Sequence, residues 1–69
     1  MPHIAITMFA GHDEEYKKNL AMAVKNCVVD TLKIDRDGVS VSVHDVERER
    51  WSEHMKQFAP ETIYARHED

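Results

Sequence analysis

His3-Ile4-Ala5-Ile6-Thr7-Met8-Phe9 alternates strictly: Ile4, Ile6 and Met8 share one side, with His3, Ala5, Thr7 and Phe9 on the other. A period of two with β-branched residues specifies a strand. Gly11 breaks the pattern, Asp13 is placed to cap a helix, and Glu14 and Glu15 suit the positive end of the helix dipole. From 14 to 32 the apolar positions Tyr16, Leu20, Ala23, Val24, Cys27, Val28 and Leu32 follow helical spacing, and Glu14 and Lys18 stand four apart for an ion pair. The helix is expected to end near Lys33, because Asp35-Arg36-Asp37-Gly38 is turn chemistry. Residues 39–46 alternate again, Val39, Val41 and Val43 against Ser40, Ser42 and His44.

Strand, long helix and strand make a β-α-β unit with parallel strands. The lengths agree: a helix of 19 residues rises about 28 Å and a strand of eight about 26 Å. The expected fold class is α/β, one domain over residues 1–69. After Val46, Trp51, Met55 and Phe58 fall on one side of a short helix stopped by Pro60. Glu61 to Tyr64 reads as a short strand or as an arm onto a neighbour, and the closing Arg-His-Glu-Asp run as frayed.

At 69 residues the chain is thin. Folds this small bury only ~60% of their unfolded surface and lean on disulfides, metals or assembly. Cys27 is the only cysteine, so no intrachain disulfide forms, and its place in the apolar pattern suggests a buried thiol in a reducing compartment. The histidines lack zinc-ligand spacing. Two strands and one helix also leave a sheet face bare, so a homo-oligomer is expected, its sheets packed between subunits. The net charge of −4, with acidic and basic residues interspersed, argues against nucleic acid as a partner. No run approaches the ~20 apolar residues of a membrane span, and no signal-peptide pattern opens the chain. The expectation is a cytoplasmic protein.

Nucleophile elbows and phosphate loops are absent. The unusual feature is Met1-Pro2-His3-Ile4 leading directly into a strand. Removal of Met1 leaves a secondary amine in a rigid ring. α-Amino groups titrate at ~7.7–8 and burial lowers that value, giving a base poised near neutrality. On its own this reading competes with an ordinary N-terminal proline.

From Pro2 to about Val46 the chain resembles the 4-oxalocrotonate tautomerase family without a gap. The resemblance is carried by Pro2, Ile4-Ala5-Ile6, Gly11, Asp13-Glu14, Lys17, Leu20 and Val39-Ser40-Val41. Pro2-His3-Ile4, Phe9, Trp51 and Ala59-Pro60 are most similar to the small phenylpyruvate-type branch. The resemblance implies that Pro2 is the catalytic base of a keto–enol isomerase that needs neither cofactor nor metal. It implies substrate-binding roles for His12, Ser40 and Trp51. Two family arginines fall on His12 and Ser40, and neither residue reproduces a bidentate guanidinium grip. A small, aromatic or monocarboxylic 2-keto or enol acid therefore fits better than a dicarboxylate. Trp51 keeps an apolar wall and adds an N–H donor. Arg48 and Arg50 precede it, either as replacement cations or as solvated charges. His3, on the other side of the strand from Ile4, reads as a packing residue. The phenylpyruvate-type likeness favours a homodimer over a hexamer. Two alternatives remain: a cationic Pro2 acting in hydration, dehalogenation or decarboxylation, and a non-catalytic oligomeric binding module.

Overall fold

The computed structural model describes residues Met1–Asp69. Strand β1 (His3–Phe9), helix α1 (Glu14–Leu32), strand β2 (Ser40–Val46) and a short helix α2 (Trp51–Met55) follow in order, with 3₁₀ turns at Arg36–Gly38, Arg48–Arg50 and Pro60–Thr62. The β-α-β reading is confirmed, and β1 and β2 pair in parallel from His3↔Ser40 to Phe9↔Val46.

The local chemistry sets these boundaries. Gly11, at φ 120, takes a conformation that favours glycine, and so ends β1. The Asp13 carboxylate then accepts the Tyr16 N–H at 2.8 Å and caps α1. At the other end Lys33 adopts the left-handed conformation (φ 57), and its N–H reaches the Val29 carbonyl. Val39 is extended but belongs to the turn before β2. α2 ends at Met55 rather than Phe58, because Lys56, Gln57 and Phe58 bond to carbonyls three residues back and tighten the last turn. No third strand forms. Glu61 and Thr62 lie in a 3₁₀ turn, and the closing run folds into a turn in which Asp69 N–H reaches the Arg66 carbonyl at 2.9 Å.

The inward stripe of α1 is rotated from the expected one. Leu20, Val24 and Val28 are half-buried as anticipated, together with Lys17, Ala21 and Val29, whereas Tyr16, Ala23, Cys27 and Leu32 are exposed. The Cys27 thiol is thus not buried. A sheet of two strands covers only a narrow strip of helix, and α1 packs closest to β2. Lys17 marks that strip. Its ammonium bridges Glu14 and Asp45 of β2, each at 3.1 Å, so Glu14 pairs with Lys17 and not Lys18.

Only Val39 is buried. The chain exposes 5792 Å², whereas a compact monomer of its mass exposes ~4,450 Å². α1 is the one helix packed along the sheet. The opposite face, carrying His3, Ala5, Thr7, Ser40, Ser42 and His44, has no helix along it, and α2 meets it only at the Phe9 end through Trp51. No helix is long and apolar enough to cross a membrane.

Candidate active site

The two ends of the sheet carry different chemistry. At the start of the strands, the Ser40 N–H donates to the Pro2 carbonyl at 3.3 Å, so Pro2 extends the ladder by one residue. Pro2 is half-buried, while Met1 projects wholly into solvent. While Met1 is attached, the proline nitrogen is a tertiary amide without basicity. Its removal exposes an amine held by the strand.

Ser40 does not stand free beside Pro2. Its hydroxyl lies 2.6 Å from His3 Nδ1, His3 Nε2 lies 2.9 Å from the Ser42 hydroxyl, and that hydroxyl lies 2.7 Å from His44 Nε2. His3 is therefore the centre of a polar chain across both strands rather than a packing residue. The parallel register puts these four side chains on one face, which alternation alone does not reveal. With one hydroxyl proton, Ser42 donates to one imidazole and accepts from the other, so the chain has a single direction at a time.

At the far end, Phe9 of β1 meets Trp51 of α2 edge-on, with ring centroids 5.0 Å apart. His54 packs against Trp51 with centroids 5.5 Å apart and in turn against Phe58 at 5.5 Å. Gln57 approaches His54 Nδ1 at 2.9 Å, and His54 Nε2 is buried without a partner. The Arg48 guanidinium lies over the Phe9 ring, 4.3 Å from its centroid. Nothing in the apolar pattern of the sequence signalled that contact. His12, after the end of β1, stacks on Tyr16 at 4.4 Å with an interplanar angle of 13° and is exposed.

Within one chain the four residues singled out for the site do not converge. Pro2 and Ser40 sit at one end, Trp51 and His12 beyond the other, with roughly 20 Å of strand between them. Pro2 lines neither surface cleft. One, of about 360 Å³, includes Asp45, Glu47, Arg50, Glu53, His54 and Gln57. The other, of about 530 Å³, lies between Trp51, Met55 and the tail residues Ile63 and Ala65–Glu68, which places the tail against its own chain.

Residues 2–63 match the tautomerase family, described as tautomerase enzyme, and the chain belongs to it. No curated protein matches the chain.

Proposed function

We propose that this protein is a keto–enol tautomerase of a small 2-keto or enol acid, with the amine of processed Pro2 as general base. The observation that carries the reading is Pro2 itself: the family match begins there, in a half-buried position on the β1–β2 ladder, with Met1 fully accessible to removal. The neutral amine takes a proton from the enol hydroxyl, or from the carbon beside the carbonyl, and its ammonium returns that proton to the other position. Trp51 Nε1–H or His12 stabilises the developing enolate oxygen, an effect worth a few kcal/mol when donors are preorganised.

The site is shared between copies. The distance between Pro2 and Trp51 in one chain supports a homodimer in which the Pro2 end of one sheet meets the Trp51 end of the other. The excess exposed surface and the uncovered sheet face support the same assembly. No step in this chemistry calls for a cofactor or a metal, and the reading places the enzyme in the cytoplasm.

The test is ketonisation of enol-phenylpyruvate by processed protein. Turnover is expected, and Pro2→Ala is expected to slow it substantially with the circular dichroism spectrum unchanged. Full activity in Pro2→Ala would remove Pro2 from the mechanism.

A further inference from the structure

The proposed substrate carries a carboxylate, yet the two positions where the resemblance places arginines offer little to hold one. Ser40 is engaged by His3, and His12 is stacked on Tyr16. We infer that Arg48 is the carboxylate anchor, beside an apolar wall made by Phe9 and Trp51 that takes the planar part of an arylcarboxylate.

Three observations carry this. First, the Arg48 guanidinium lies over the face of Phe9, 4.3 Å from its centroid, and that ring meets Trp51 edge-on. A cation attracted to an aromatic face spends none of its N–H donors on that contact, so they remain open to a planar anion. Second, those donors are uncommitted. The ion pairs of the chain are made by Lys17, Lys56, Arg66 and His67, and Arg36 donates to Asn26. Arg48 pairs with no carboxylate, although Glu47 and Glu49 flank it in sequence. Third, the neighbouring cation is unsuited to the task. Arg50 lines a cleft with Asp45, Glu47 and Glu53, whose carboxylates repel an incoming anion.

Apolar wall and charged fork at one place select a ligand with both features: one carboxylate and one flat apolar group. Two carboxylates would set the second against the Phe9–Trp51 wall without a counter-charge. Because Arg48 and Pro2 occupy opposite ends of one sheet, the anchor serves the Pro2 of another copy, and to that extent the inference rests on the proposed function.

The binding test is independent of turnover. Processed protein is titrated with 3-phenylpropanoate and with its neutral primary amide, with the emission of Trp51, the only tryptophan, as readout. Wild type is expected to bind the carboxylate more tightly than the amide. Arg48→Gln should weaken the carboxylate roughly ten- to hundredfold while leaving the amide unchanged, as loss of a charge-assisted bidentate pair requires. Arg48→Lys should recover part of that loss, and Arg50→Gln should match wild type. In turnover, Arg48→Gln should raise KM with little change in kcat. Equal carboxylate affinity in wild type and Arg48→Gln, an equal loss for acid and amide, or no response of Trp51 in wild type would each overturn the anchor. If Pro2→Ala keeps full turnover while Arg48→Gln still loses the carboxylate, the base assignment fails and the anchor stands.

Discussion

At the scale of single residues, the proposed site is a set of groups with separable expected kinetic signatures. Trp51→Ala removes the apolar wall, exposes Phe9 and leaves the sheet intact. It is expected to lower kcat/KM on an aryl enol acid by roughly tenfold, with a smaller effect on an alkyl analogue. His12→Ala should raise KM more than it lowers kcat, and by less than Arg48→Gln, because His12 stacks in the open on Tyr16. Identical kinetics in both variants would place the substrate elsewhere. If the amine acts as a neutral base, the low-pH limb of kcat/KM must rise with pH through its titration. A limb that falls instead would identify the cationic-acid chemistry of the alternative. Pro2 entered the proposed site through the family resemblance, which rests on its spacing from the helix and second strand; on its own it reads as an ordinary N-terminal proline. The Arg48–Phe9 contact and the His3–Ser40–Ser42–His44 chain were not legible in the sequence, because both depend on register and on the path of the chain after Val46.

At the scale of elements, local signals were reliable wherever a residue type forces a backbone state. Gly11, the Asp13 cap and the Asp35–Gly38 turn place the ends of β1 and α1 where the sequence indicates. What the sequence did not disclose was the rotation of α1, since its apolar arc is wider than the sheet beneath it, and only packing selects which part turns inward. Lys33 is an instance of stored cost: a side chain in the left-handed region is disfavoured, and glycine there is not. Lys33→Gly is expected to stabilise the protein by about 0.5–1 kcal/mol, read from urea denaturation, and a loss of stability would show that the Lys33 side chain contributes more than its backbone strain. Lys17 joins α1 to β2, and its hydrogen bonds to Glu14 and then Asp45 raise its pKa above the ordinary lysine value. A raised pKa means stability fully present below the unfolded value and lost as pH climbs through the folded one. Lys17→Gln should therefore melt earlier than wild type at neutral pH, with the difference closing in strongly alkaline solution. A gap unchanged at high pH would trace the effect to packing.

At the scale of the whole molecule, one buried residue and roughly 1,300 Å² more exposed surface than a compact monomer support the proposed assembly. The sheet also offers an open edge on each strand, and such edges recruit further chain. Sedimentation at micromolar concentration is expected to give a dimer, and a clean 8.0 kDa species would contradict the proposed assembly. Subunit mixing tests the proposed sharing of the site more sharply. Pro2→Ala and Arg48→Gln chains, refolded together, form heterodimers in which one site carries both defects and the other carries neither. Activity well above that of either variant alone is expected, and no recovery would assign Pro2 and Arg48 to the same chain's site or to none.

The measurement closest to the central claim compares two forms of the protein that differ only in Met1. Retained methionine leaves the Pro2 nitrogen an amide, and its removal leaves a free amine, with every side chain from Pro2 onward the same and mass spectrometry confirming each N-terminus. The processed form is expected to ketonise enol-phenylpyruvate and the retained form to be inactive. Equal turnover by the two would contradict catalysis by the N-terminal nitrogen.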